Sequence, residues 1–257
     1  MSAAAKINDR ISSILVILAT LATIAFNALA ATGYINGITP AEISDRLPTI
    51  ITPAGYAFSI WSLIYIGLLA FSIYQALPSN IGRFAGVRTL YIASCVLNCA
   101  WIYFWHHGDI GFCTILIFAL AGVSIALIAI FKVTTNWIES VVLKATFGIY
   151  AGWVSVASIV NLFVYLRSID SPLAESVLLG VAAVVLATAA AVAVTWKLTN
   201  YLYPLAVAWA LTAIAVSQSG KTALVIACAG GVIMCLLLST SFILSYPSTA
   251  RPAVENE

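Results

Sequence analysis

Residues 140–167 read SVVLKATFGIYAGWVSVASIVNLFVYLR, with Lys144 and Arg167 as the only charges. The stretch is longer than the roughly 20 apolar residues a helix needs to cross the hydrocarbon core of a bilayer. Its conspicuous side chains also repeat with helical spacing. Tyr150, Trp153, Ala157 and Asn161 lie at i, i+3, i+7 and i+11, which places them on one face. The stretch reads as a membrane span with an aromatic and amide stripe.

The rest of the chain has the same character. Of 257 residues, 63% are hydrophobic and 8% charged, against roughly a quarter charged in an ordinary soluble domain. The mean hydropathy is +1.07. Further apolar runs cover about 11–31, 54–77, 88–107, 110–132, 173–196, 201–218 and 222–246, so the sequence predicts an all-α, polytopic transmembrane bundle of about eight spans. The breaks between runs carry Pro, Asn, Asp and charged residues, as turns do. A formal charge of +2, with no basic stripe, excludes nucleic acid as a partner. The five cysteines all fall inside apolar runs without metal or redox spacing, and read as packing residues.

Lys6 and Arg10 precede the first run, which closes on the small residues Ala28 and Ala30, a pattern shared with cleaved signal peptides. Its apolar stretch is longer than a signal core, so it is expected to be retained as a span. With eight spans both termini share a side. Lys6, Arg10, Arg83, Arg88, Lys132, Lys197 and Arg251 fall on that side, and Arg46, Arg167 and Lys221 on the other. The positive-inside rule then places both ends in the cytoplasm of a multi-pass cell-membrane protein. Lys144 reads as a snorkelling side chain. No Asp or Glu lies mid-span, which argues against a proton-coupled pump.

Depth along each span locates the unusual residues. In the second span Phe58, Trp61 and Tyr65 share a face, and in the third Asn98, Trp101 and Trp105 do so. Asn27 of the first span and the Tyr150 to Asn161 stripe of the fifth reach the same outer half. An amide facing hydrocarbon costs several kcal/mol, on the order of a lost hydrogen bond or more, unless it is paired. These groups should therefore meet around a ligand cavity, roofed by residues 32–53. Aromatic belts and interhelical Asn pairs are the bland alternative.

The same residues carry a family resemblance. The segment Pro53-Ala-Gly-Tyr56-Ala-Phe58-Ser-Ile-Trp61-Ser-Leu-Ile-Tyr65 is similar to the Pro-Gly-Trp-Val-Phe and Trp-x3-Tyr signature of the TspO/MBR family of tryptophan-rich sensory proteins, related to the mitochondrial translocator protein. Leu97-Asn98-Cys-Ala-Trp101 resembles that family's Leu-Asn-x-x-Trp, and Tyr150 to Asn161 its Tyr-x-x-Trp-Val-x-x-Ala-x3-Asn. The chain departs from the pattern at Tyr56, Ser59 and Ile149, where the family commonly has Trp, Pro and Pro. The resemblance covers residues 11–168. It divides the chain into a five-helix core, 1–168, and a three-helix extension with a short polar tail, 169–257.

The resemblance implies binding of a flat hydrophobic ligand, a tetrapyrrole, a sterol or a similar molecule, in a sensing or carrier role, often as a homodimer. Tyr56, Phe58, Trp61, Tyr65, Asn98, Trp101, Trp105, Tyr150, Trp153, Ala157 and Asn161 are the candidate ligand-binding residues. No motif requires a cofactor, and a bound tetrapyrrole or lipid fits the reading; membrane lipids and the small ligand are the expected partners. The alternative is a secondary transporter or permease that uses the last three helices to complete a path. A cavity filled by its own side chains would instead favour a structural subunit. There is little sign of an enzyme: no nucleophile, general base or metal cluster has recognisable spacing. Val160, Tyr165 and Arg167 fit a permissive cholesterol-recognition pattern or an interface anchor. His106 and His107 read as headgroup-level loop residues rather than haem ligands.

Overall fold

The computed structural model describes residues 3–245, and the side chains of 7–241. The fold is an all-α bundle, with no strand among the described residues. Its helices are α1 (Ala3–Ala31), α2 (Pro40–Arg46), α3 (Ile60–Tyr74), α4 (Arg88–His107), α5 (Ile110–Ile130), α6 (Trp137–Ser168), α7 (Val177–Leu198), α8 (Tyr203–Ser217) and α9 (Thr222–Ser245). Local chemistry sets the ends. Gly108 closes α4 in the left-handed conformation at φ 78°, where a side chain would be strained. Asp109, Asn136 and Ser176 each cap the next helix by accepting from a backbone N–H. The short α2 opens on a capping box formed by Thr39 and Glu42, with Pro40 in its first turn.

Seven helical segments are long and apolar enough to cross a membrane. The remaining expected span, 201–218, forms α8 with 15 residues, about 22 Å of helix against a core of about 30 Å. Its ends nevertheless reach both faces of the bundle. Asn200, just before α8, donates from Nδ2 to Lys144 O at 2.9 Å, and Thr199 donates to Lys132 O. Gln218, just after it, donates to Thr49 O and Thr52 O. Non-helical backbone at such depth is tolerated because it is enclosed by protein. Asn200 is buried, and its Oδ1 also accepts from Leu202 N and Tyr203 N.

The contacts sort the loops into two faces. On the first, Arg88 pairs with Asp9, Arg83 pairs with Glu139, and Ser239 donates to Tyr201 O. On the second, Asn36 donates to His106 O, and Ile50 N donates to Ala174 O. The chain thus traverses the bundle eight times, and both described ends lie at the first face. The Lys6 side chain and Arg251 lie outside the described residues, as does residue 246 at the end of the last expected span.

Three expectations change. Lys144 is 6% exposed; it does not snorkel, because it sits in a π-helical turn, Ser140–Ala145, inside the most enclosed helix. Arg88, counted among the charges of the first side at the start of the third span, is not exposed there. It is 1% exposed and donates to Gln75 Oε1, Asp9 O, Ser12 Oγ and Ile81 O, clasping α1 and the end of α3. His106 is buried, with Nδ1 against Ile102 O at 2.9 Å, because α4 runs on to His107. The cysteines are free thiols in helices, four of them buried, as read.

An aromatic cavity between five crossing helices

The candidate residues come from the 3-10 turn at 55–59 and from α3, α4 and α6, and the fold brings ten of the eleven to one cavity. Phe58, Trp61, Tyr65, Asn98, Trp101, Trp105, Tyr150, Trp153, Ala157 and Asn161 all line it. Phe58 meets Trp61 and Trp153 edge-on at centroid distances of 5.4 and 5.9 Å. Trp61 meets Trp101 edge-on at 6.3 Å, and Trp101 stacks on Trp105 at 5.5 Å. Such geometries suit the quadrupoles of the rings. Ser44 of α2 and Pro53 form the roof.

Tyr56 is the exception. It is 42% exposed and packs edge-on against Trp209, outside the cavity. Residues 55–59 wind as a 3-10 helix, and at about three residues per turn Tyr56 and Phe58 cannot share a face.

The amides are fixed by what they touch. Trp101 Nε1 donates to Asn161 Oδ1 at 2.8 Å. An indole N–H only donates, so the amide oxygen must face it, and Asn161 Nδ2 is left as a donor. That nitrogen is buried on a cavity-lining residue with no partner among the described residues. Asn98 Oδ1 accepts from Asn27 Nδ2 at 2.7 Å, and Tyr65 and Tyr150 line the same cavity as Asn98. Asn27 therefore joins the cluster through Asn98 rather than by lining the cavity. Trp105 Nε1 donates to Pro40 O at 3.2 Å, which ties the roof to α4.

The remaining walls carry no sequence signal beyond apolarity. Ile117 and Leu120 come from α5, and Ala210 and Ile214 from α8. Their i, i+3 and i, i+4 spacings mark a helix face, but only packing shows which face. Of the cholesterol-type pattern, Val160 lines the cavity, Tyr165 packs beside Gly111 of α5, and Arg167 pairs with Glu175. The three point to different surroundings. No group of three metal-ligating side chains occurs among the described residues.

The enclosed space is small, about 60 Å³. A second space of about 490 Å³ lies beside it, between α1 and α3, and shares Phe58, Trp61 and Tyr65 as a common wall. Below the cavity, toward the first face, Phe71, Phe84, Tyr91, Phe131 and Phe147 pack ring against ring and are all buried.

Fold and site together define a polytopic helical membrane protein built around an enclosed cavity of aromatic rings and amides. Residues 13–242 match the family model described as TSPO-like protein, and the chain belongs to that family. The match runs past residue 168 and takes in α7, α8 and most of α9. Neither a curated protein nor a solved structure matches the chain.

Proposed function

We propose that this protein binds a flat, hydrophobic molecule of the tetrapyrrole or sterol type in the cavity of α3, α4, α5, α6 and α8, as a membrane-embedded sensor or carrier. The observation that supports it is the convergence of the aromatic rings on one buried amide donor, Asn161 Nδ2, which has no partner among the described residues. A buried donor left unpaired costs about 1–3 kcal/mol, and a ligand oxygen or nitrogen at that point would remove the cost. Family membership supports the same class of protein.

The reading carries a requirement. A space of about 60 Å³ is far below the roughly 300–1,000 Å³ of typical ligand sites. Phe58, Trp61 and Trp153 must part for a porphyrin to enter, so binding is slow and induced. A cavity that stays closed would mean a purely structural bundle. The inner aromatic plug favours binding over passage, because Phe71, Tyr91 and Phe147 leave no path toward the first face. The permease reading draws on the wall that α8 contributes, and requires flux into proteoliposomes. By the positive-inside rule the first face, with Arg10, Arg83, Arg88, Lys132 and Lys197, is cytoplasmic in the cell membrane.

The test is a porphyrin titration of the detergent-purified protein. Tryptophan fluorescence should be quenched saturably, and Trp153→Ala or Asn98→Ala should weaken binding by about tenfold, one ring contact or hydrogen bond. Quenching no greater than that of an unrelated membrane protein overturns the reading.

A further inference from the structure

The larger space lies outside the aromatic cavity. Ile24, Asn27, Ala28 and Ala31 of α1 form one wall, Ser62 and Tyr65 of α3 the other, and Thr39 to Ala41 close its outer end. Its volume, about 490 Å³, is within the roughly 300–1,000 Å³ of small-molecule sites. It opens at the outside of the bundle: α1 packs on α3 and α4 and leaves the groove-lining Ala28 and Ala31 exposed beside Leu18, Leu21 and Leu29.

Two features select the occupant. None of the lining residues carries a charge, so a phosphate or ammonium headgroup would be desolvated without compensation. Thr32, Thr39, Ser59, Ser62 and Tyr65 also bring hydroxyls to the lining, but Asn27, 1% exposed, is the lining residue with a buried polar atom left unpartnered. Its Nδ2 donates to Thr23 O and to Asn98 Oδ1. The Thr23 carbonyl only accepts, so the amide orientation is determined, and Oδ1 remains a buried acceptor with no donor among the described residues. Asn27 lies five residues, about 7 Å, below Thr32 at the outer end. A group that reaches it must be small, uncharged and able to donate a hydrogen bond.

We propose that the groove between α1 and α3 is a second binding site, which takes a bilayer glycerolipid with a free hydroxyl, of the diacylglycerol type, its hydroxyl donating to Asn27 Oδ1. The site is chemically opposite to the inner cavity. That cavity offers a donor, Asn161 Nδ2, to an accepting ligand, and the groove offers an acceptor to a donating one. Phe58, Trp61 and Tyr65 form the wall between the two.

The test uses the full-length protein in nanodiscs and a diacylglycerol with a photoactivatable acyl chain. Crosslinks should concentrate on residues 24–31 and 55–65, and unlabelled diacylglycerol should compete at least tenfold better than its O-acetylated analogue or phosphatidic acid of the same chains. Ala31→Phe, which fills the groove from the exposed surface of α1, should abolish the labelling while leaving porphyrin quenching unchanged. Asn27→Leu should remove the preference for the free hydroxyl. Equal competition by the acetylated lipid or by phosphatidic acid overturns the proposal, as does labelling that survives Ala31→Phe. The porphyrin readout separates this outcome from failure of the inner-cavity reading.

Discussion

Asn161 shows how one side chain ties stability to recognition. Its Oδ1 serves the Trp101 indole, and its Nδ2 is buried at the cavity without a partner among the described residues. Asn161→Leu should therefore destabilise the bundle by about 1–3 kcal/mol through the orphaned indole. Adding Trp101→Phe should recover part of the loss, as thermal unfolding in detergent will show. The pair formed by Arg83 and Glu139 behaves differently. Glu139 is fully buried and also accepts from Tyr74 and from Thr135 N, while Arg83 is half-exposed. Arg83→Met should cost about 3 kcal/mol, because it leaves a buried carboxylate uncompensated, and Arg83→Met with Glu139→Met should cost less. At the roof, backbone and side-chain hydrogen bonds from Thr39 hold the Glu42 carboxyl below its ordinary range. A lowered pKa means the cap is intact at neutral pH and is lost as pH falls through that lowered value. Hydrogen exchange across 40–46, corrected for intrinsic rates, should accelerate there.

Among the elements, α6 and α8 depend on glycine for their contact. A Cβ on Gly152 would stand 2.5 Å from Tyr203 O and 2.9 Å from the Ala206 Cβ, closer than backbone can yield. Gly152→Ala should cost about 1–3 kcal/mol by overpacking. Gly230→Ala, where a Cβ meets nothing within 4 Å, should leave the melting temperature unchanged. Gly148 has a related role. The Asn200 amide occupies the place its Cβ would take, and from there caps α8 and reaches Lys144 O in the π turn of α6. This explains why α8 ends so near its expected bounds, 203–217 against 201–218, yet is shorter than a free-standing span. Its hydropathy marked it as apolar, whereas its partners allowed it to be brief. Trp209 Nε1 donates to Ala57 O, and Ala54 N to Ala213 O, so α8 also braces the turn that presents Phe58.

At the scale of the molecule, eight traverses bring both described ends to one face. Single cysteines at Asp170 and Lys221 should react with an impermeant maleimide applied outside intact cells, and those at Lys132 and Lys197 only after permeabilisation. Equal reactivity at Lys197 and Lys221 would mean that α8 does not cross. The Arg88 clasp belongs to this scale too. A cation at the start of the third span joins α1, the end of α3 and the start of α4 from within, which no local pattern announces.

Length, hydropathy and helical spacing were sufficient to establish an all-α membrane bundle, its approximate spans, and the stripes of Phe58, Trp61, Asn98, Trp101, Trp153 and Asn161. Those properties are one-dimensional: a helix fixes which residues share its face whatever it packs against. Which stripes meet was decided in three dimensions. Packing turned Tyr56 outward, brought Ala210 and Ile214 into the cavity wall, buried Arg88, Lys144 and His106, and left Asn27 Oδ1 beside an open groove. Apolar side chains of similar size are interchangeable in a hydropathy profile. Only the interlocking of helices, which is driven by fit and by satisfied hydrogen bonds rather than by polarity in a bilayer, distinguishes the one that lines a site from the one that faces lipid.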